Sequence, residues 1–237
     1  MLKELQKEIL KLKNPLKANL LSRYFKTGKG EYGEGDVFLG LTVPQLRDIA
    51  KKYSHLKLNN IKNLLKSKFH EFRMTGVFIL TYKYKKADIE IKKQIFNFYI
   101  RNKKGINNWD LIDLSSPNIV GDYLKDKDKS ILYKLLKSEN IWDKRIAVLA
   151  TFGFIKIKNY KDSLKIAEIL LNDKHDLIHK AVGWMLREIG KQDIKTEELF
   201  LKKYYKKMPR TMLRYAIEKF PQSKRNFYMK KSRGGGT

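Results

Sequence analysis

A basic residue followed by small and apolar residues recurs along this chain at a spacing close to 35 residues. The pattern begins at Arg73 (RMTGVFIL), Arg145 (RIAVLATF), Lys180 (KAVGWMLR) and Arg214 (RYAIEKF). The interval between the first two is twice the others, and Trp109 lies at its midpoint. Such a period is typical of stacked helix pairs, which bury their apolar faces only against neighbouring pairs. The register therefore predicts a repeat array whose second helices each carry a basic residue, so that these residues form a stripe along one face.

Apolar residues elsewhere also follow helical spacing, and no convincing alternating strand occurs. Thr42 and Gln45 match a capping box, and Pro44 suits a first helical turn. We predict an all-α fold, a right-handed α-solenoid of HEAT/armadillo-like helix pairs with a concave basic groove. A single domain is expected over 1–225, followed by a basic, glycine-rich flexible tail over 226–237. Helices are predicted over 2–12, 16–25, 61–66, 71–85, 88–101, 117–124, 130–137, 143–155, 162–171, 176–191, 196–207 and 210–220.

The charge of the chain restricts its partners. Lys and Arg total 52 against 25 acids, giving a formal charge of +27. This excess favours nucleic acid first and an anionic membrane second, although a coding bias towards Lys would explain part of it. The absence of cysteine excludes disulfides and thiolate catalysis. No signal peptide and no long apolar run is visible, so we expect a cytoplasmic, nucleoid-associated protein with no membrane partner.

The segment Trp109-Asp110-Leu111-Ile112-Asp113 places an indole and a carboxylate four residues apart, on one face of a helix. A carboxylate on a DNA-binding surface is repelled by phosphate, so Asp113 needs a chemical reason to be there. Stabilisation of a cationic transition state is one such reason. The alternative is that Asp110 and Asp113 only occupy a helix start, where the helix dipole favours acids.

The same register places further candidates near this pair. Lys180 and Trp184 occupy, two repeats later, the positions held by Trp109 and Asp113. Arg187 shares the helix face of Trp184, and Arg145 lies in the repeat between them. We expect these side chains to converge on the concave face. The alternative for Trp184 is a core position in an apolar helix.

Three segments give the chain a family resemblance: residues 109–113 (WDLID), 141–145 (IWDKR) and 180–188 (KAVGWMLRE). In this order and at these separations they resemble the AlkD-type DNA alkylation repair glycosylases, which are built from HEAT-like repeats. The similarity extends over most of the chain. It implies base excision repair of duplex DNA, with hydrolysis of the N-glycosidic bond of cationic alkylated purines such as N3-methyladenine and N7-methylguanine.

Matching the family's motifs residue by residue implies roles for particular side chains. Trp109, Asp113 and Trp184 match its catalytic aromatics and carboxylate, and Tyr24 matches a further aromatic near the lesion. The glycine-rich segment 26–36 departs from the family pattern, and it has no P-loop spacing. The residues expected to contact DNA are Arg145, Arg187, Lys180, Arg47, Tyr24 and Arg214.

The chemistry agrees with these roles. A purine cation leaves without protonation, and one carboxylate can stabilise the oxocarbenium-like sugar and position water. We therefore expect a monofunctional, monomeric hydrolase without metal or cofactor. His175 and His179 are spaced like a metal pair, but without a third ligand we predict surface or capping roles for them. We assign no function to His70 and a packing role to Trp142.

A non-catalytic α-solenoid that binds DNA or RNA explains the charge and the repeat equally well. It does not explain Asp113 beside Trp109 on a cationic face. An RNA-binding repeat would need similar polar pairs at matching positions of successive repeats, and these are not evident.

Overall fold

The computed structural model describes residues 1–230, and its regular structure is helical. Within that range the only extended pairing is an isolated bridge between Val37 and Phe69. The prediction of an all-α fold is therefore confirmed, and short helices with short connections agree with an α-solenoid. No helix of the described part of the chain is long and apolar enough to cross a membrane. The handedness and the concave basic groove stay predictions.

The chain divides into two compact units, the first covering Met1–Asp126. Its helices are α1 (Leu2–Lys11), α2 (Pro15–Tyr24), α3 (Val43–Lys52), α4 (Leu58–Leu65), α5 (His70–Lys86), α6 (Ile89–Asn102), α7 (Trp109–Ser116) and α8 (Asp122–Leu124). A 3-10 turn at Lys103–Gly105 precedes α7, and a π-helical segment at Pro117–Gly121 follows it. The predicted capping box begins α3, where the Gln45 side chain accepts the Thr42 N–H at 2.8 Å.

The central helix of the first unit is α5, which packs against α3, α4 and α7. Every residue from His70 to Leu80 is buried, so this helix has no solvent face over three turns. A helix buried on all sides brings its polar residues into the core, where each requires a partner. The start of α5 accordingly carries the polar contacts described below.

The second unit begins at Lys127. Its helices are α9 (Ser130–Leu136), α10 (Ile141–Ile155), α11 (Lys161–Ile169), α12 (Asp176–Gln192), α13 (Ile194–Tyr204), α14 (Arg210–Ala216) and α15 (Gln222–Met229). The helix α12 packs against α10, α13 and α14. Residues 226–229, placed by the sequence in the tail, belong to α15, and 231–237 lie outside the described residues.

Gly40 fixes the position of α2 through a close backbone approach. It has a φ of +89°, and a Cβ there would lie 2.1 Å from the Asn14 carbonyl oxygen and 2.7 Å from the Ala18 nitrogen. The buried Glu71 carboxylate accepts the N–H groups of Leu39 and Gly40 at 2.8–2.9 Å, which holds this segment against α5. The first turn of α2 therefore rests on a backbone position that only glycine fits.

Replacing Gly40 with Ala is expected to lower the free energy of unfolding by about 3 kcal/mol or more, since backbone strain and a steric clash both contribute. Gly30→Ala is the matched control, because Gly30 has a φ of +79° but no atom within 4 Å of its Cβ position. Backbone strain alone should cost that variant about 1–2 kcal/mol. Urea denaturation of both variants measures the difference, and equal losses would contradict the close approach at α2.

Candidate functional site

Trp109 is held at the start of α7 by a cap and by neighbouring rings. The Asn108 side chain accepts the Trp109 N–H at 2.8 Å. The indole stacks on Phe25, with ring centroids 5.0 Å apart and an interplanar angle of 11°. Tyr24 meets it edge-on at 6.0 Å. One face of the indole is thus covered by Phe25, and the half-buried Trp109 keeps other surfaces for a ligand.

Asp113 lies one turn after Trp109 on α7 and is half-buried. Burial raises the pKa of the nearby Tyr99 hydroxyl, and the negative charge of Asp113 raises it further. That hydroxyl is 2.9 Å from the Ser115 hydroxyl, which is buried on the same helix. The predicted pairing of Trp109 and Asp113 on one helix is therefore present.

A buried ionic cluster surrounds the start of α7. His70 Nε2 lies 2.8 Å from Asp110 Oδ2, and His70 Nδ1 lies 3.2 Å from Asp36 Oδ2. Arg73 donates to the second Asp36 oxygen at 2.6 Å. The Asn108 amide donates to Asp36 at 3.1 Å. This buried cluster, formed by Asp36, His70, Arg73, Asn108 and Asp110, joins the end of the glycine-rich loop, the first turn of α5 and the first turn of α7.

Charge balance keeps this cluster stable. Burial lowers the pKa of His70, but the charge of Asp110 and the hydrogen bonds to Asp110 and Asp36 outweigh it and raise that pKa to about 9. Burial raises the pKa of Asp36, yet the contacts with His70 and Arg73 lower it overall. At neutral pH two cations therefore face two carboxylates, as buried charges require.

An aromatic stack connects the cluster to Trp109. The His70 ring lies 4.5 Å from Phe38, and Phe38 lies 4.9 Å from Phe25, with interplanar angles of 22° and 26°. Phe25 in turn stacks on Trp109. A protonated imidazole is attracted to an adjacent aromatic face. The orientation of the Trp109 indole thus depends on side chains that extend back to His70.

No role was predicted for His70, and the structure places it at the centre of the cluster. Asp110 does lie in the first turn of α7, as the helix-start alternative expects, but its pairing with His70 was not predicted. Phe25 and Asp36 were not singled out, although both contact this cluster or the stack. One signal in the sequence could have indicated this cluster. Arg73 is followed by a mostly apolar run, which favours a buried helix over an exposed one, and a buried arginine requires acidic partners.

The second unit holds Trp184, which is half-buried on α12. Its indole N–H donates to Glu188 at 3.0 Å, and its ring lies 6.3 Å from that of Phe152 on α10. Trp142, by contrast, is buried, which confirms its packing role. Trp184 is therefore anchored at its polar edge and keeps part of its surface accessible.

The predicted DNA-contacting cations differ in their surroundings. Arg145 is buried, and its guanidinium donates to the Leu177 carbonyl at 2.6 Å. Lys180 pairs with Asp176 at 2.7 Å, and Arg187 pairs with Glu218. Arg214 is exposed on α14, and in the first unit Arg47 lies 4.4 Å from the Phe78 ring centroid.

The predicted stripe of basic residues is wrong at Arg145, which is 5% exposed, and at Arg73, which is 3% exposed. The Arg73 guanidinium binds Asp36 and the Ser67 and Lys68 carbonyls instead. Trp109, Asp113, Tyr24 and Arg47 belong to the first unit, and the remaining site residues belong to the second. Their convergence on one surface stays a prediction.

Of the two histidines, His175 is the N-cap of α12, which agrees with the predicted capping role, and His179 lies in the first turns of the helix. His175 Nδ1 accepts the Leu177 N–H at 3.1 Å. His179 Nε2 lies 2.5 Å from the Asp173 carbonyl oxygen. Among residues 1–230 no group of three or more potential metal ligands occurs.

The buried cluster should make stability depend on pH between about 6.5 and 9, because the folded state binds a proton on His70 more tightly than the unfolded state. This stabilisation is complete below the pKa of His70 in the unfolded state, and it disappears as the pH rises through the pKa of His70 in the folded state. His70→Gln removes it, so the advantage of the wild type over that variant should shrink by a few kcal/mol from pH 6 to pH 9.5.

Urea denaturation at several pH values measures this difference. His55→Gln is the control, because His55 is exposed and should leave the pH dependence unchanged. A wild-type advantage that stays constant across this range would mean that folding does not raise the pKa of His70.

Comparison with known proteins identifies the family. The model of the DNA alkylation repair enzyme family matches residues 5–220. A solved structure named as a predicted DNA alkylation repair enzyme from Enterococcus faecalis superimposes with a TM-score of 0.69 at 19% identity, covering 89% of this chain and 97% of that one. No curated protein sequence matches. Since the family model spans nearly the whole chain, this protein belongs to the DNA alkylation repair enzyme family.

Proposed function

We propose that this member of the family is a monofunctional alkylpurine DNA glycosylase, which hydrolyses the N-glycosidic bond of N3-methyladenine and N7-methylguanine in duplex DNA. The observation that carries the proposal is the helix α7, which presents a stacked Trp109 and, one turn later, the half-buried carboxylate of Asp113. Family membership supports DNA repair as the setting. Release of the damaged base would be the first step of base excision repair.

In this proposal the damaged base leaves without an acid catalyst. An alkylated purine carries positive charge, and it becomes neutral as the bond to C1′ breaks. The sugar then develops oxocarbenium character. The Asp113 carboxylate stabilises that charge and orients the water that attacks C1′, and partial burial strengthens the interaction. The new C1′–O bond replaces the C1′–N bond, and the proton lost by the water passes to the solvent. Trp109 contributes a cation–π contact of about 0.5–2 kcal/mol to the charged nucleotide.

The second unit completes the proposal. Trp184 supplies a further indole surface, and its bond to Glu188 fixes the ring. Lys180, Arg187 and Arg214 bind phosphates, and the buried Arg145 supports the start of α12 by donating to the Leu177 carbonyl. The enzyme acts as a monomer, in the cytoplasm and on the nucleoid.

Duplex binding should weaken steeply with salt, because phosphate contacts release counterions. Arg214→Gln is expected to weaken binding to every duplex and to reduce the slope of log affinity against log salt by about one. Lys165→Gln is the charge-matched control, since Lys165 is exposed on α11 and pairs with Glu168. Fluorescence anisotropy at several salt concentrations measures both, and a nearly salt-independent affinity would exclude a basic DNA surface.

Asp113→Asn keeps the shape of the side chain and removes the charge that opposes the oxocarbenium ion. Excision of N7-methylguanine should fall about ten- to a thousandfold, equivalent to about 1.4–4 kcal/mol of barrier. Binding to the lesion duplex should stay constant or tighten, because one repulsion against phosphate is lost. Single-turnover release of the base and anisotropy on the same variant separate the two effects.

The control is Asp126→Asn, which removes one charge at an exposed position of the same unit. Excision by Asp113→Asn at the wild-type rate would leave the carboxylate as a helix-start residue. If the wild type binds duplex DNA but releases no alkylated base, the non-catalytic scaffold becomes the better explanation.

A further inference from the structure

The helix α2 carries an apolar stripe on its exposed side. Leu16 is 82% exposed, Leu20 is 65% exposed and Tyr24 is 65% exposed. These three residues, called the α2 stripe below, are spaced four apart and therefore lie on one helix face. None of the residues of α2 is buried. A ten-residue helix that leaves its largest apolar side chains in water needs an explanation.

The orientation of the stripe follows from the contact that holds α2 against the rest of the first unit. The backbone at Asn14, the N-cap, and at Ala18 in the first turns of this helix lies close to Gly40. Leu16 and Leu20 lie about half a turn around the helix from Ala18, so they face away from the segment that holds α2. The stripe is thus a consequence of a rigid contact on the opposite side of the helix.

The stripe ends at the candidate site. Tyr24, its last residue, meets the Trp109 indole edge-on at 6.0 Å. Trp109 and Asp113 lie within one turn of each other on α7. A ligand that contacts Trp109 can therefore continue along Tyr24 onto Leu20 and Leu16 without leaving the first unit.

The charge around the stripe selects the ligand. Residues 9–30 carry six cationic side chains and no acidic one. Within α2, Lys17 and Arg23 fall on either side of the stripe. An apolar strip bordered by cations complements a polyanion that also has an apolar surface. The deoxyribose edges of duplex DNA, which lie between rows of phosphates, have this combination.

We propose that the α2 stripe packs against the deoxyribose edges of the DNA strand next to the damaged nucleotide, with Lys17 and Arg23 on the flanking phosphates. This inference rests on the proposed function, which places C1′ of the lesion beside Trp109 and Asp113. From Leu16 to Tyr24 the helix rises about 12 Å, which corresponds to about three or four nucleotides of one strand. The stripe adds affinity that salt does not screen.

The test replaces both leucines in the full-length protein as Leu16→Gln/Leu20→Gln, since glutamine keeps helix propensity and removes apolar surface. The variant should bind duplexes with and without N7-methylguanine about ten- to thirtyfold more weakly. The slope of log affinity against log salt should not change, because no phosphate contact is lost. Lys17→Gln should instead reduce that slope by about one.

Leu199→Gln is the matched control, because Leu199 is a 67% exposed leucine on α13 of the other unit. It should leave both duplex affinities within about twofold of the wild type. Thermal unfolding of the double variant should match that of the wild type, since neither leucine is buried. Leu16→Gln alone should give a smaller loss in the same direction.

Unchanged duplex affinity of the double variant would overturn the inference. If duplex affinity is unchanged but the double variant no longer binds phosphatidylglycerol vesicles, the stripe is a membrane contact. If duplex affinity is unchanged but the double variant no longer self-associates in sedimentation, the stripe is a contact with a second copy of the chain. The proposed function fails separately. If the wild type releases no alkylated base while the double variant loses duplex affinity, the stripe remains a DNA contact and the glycosylase proposal is wrong.

Discussion

The pairing of His70 with Asp36 and Asp110 is the interaction on which the first unit depends. Each of these groups is expensive to remove from water, and each is tolerated because the others neutralise it within 2.8–3.2 Å. The contact is long-range in sequence, since it joins the end of the glycine-rich loop, α5 and α7. Loss of one partner leaves an uncompensated buried charge, so the three segments are held together as a set. The position of α7, and with it the position of Trp109 and Asp113, follows from this constraint.

Two acidic residues of the short helix α7 have different surroundings. Asp110 Oδ2 lies 2.8 Å from His70 Nε2, whereas Asp113, three residues later, lies near Tyr99. In the proposed reaction Asp113 rather than Asp110 stabilises the developing sugar cation, because Asp110 already pairs with the protonated His70. The stacked rings of Phe38 and Phe25 then transmit the rigidity of the cluster to the Trp109 indole.

Local rules predicted most of the helices and the capping box, because helical period and capping depend on residues close in sequence. They failed where long-range burial decides the outcome. Arg73 and Arg145 have the spacing of a surface stripe, yet both are buried and bind carbonyl oxygens. Every residue of α5 from His70 to Leu80 is buried, and so are most residues of α10, which the period alone does not reveal. His70 was invisible for a related reason, since its partners lie 34 and 40 residues away and no local pattern marks them.

The glycine-rich loop illustrates how this unit accommodates an irregular segment next to its candidate site. Phe25, just before the loop, is fixed in the ring stack, and Asp36, at its end, is fixed in the buried cluster. Between them, the side chains of Glu31 and Glu34 accept the N–H groups of Gly28 and Gly30 at 2.8–2.9 Å, so the loop satisfies part of its own backbone. The entropy of closing a loop grows slowly with its length once both ends are held. Changes in the length of the loop therefore cost little, and they leave the stack and the cluster, which orient Trp109, in place.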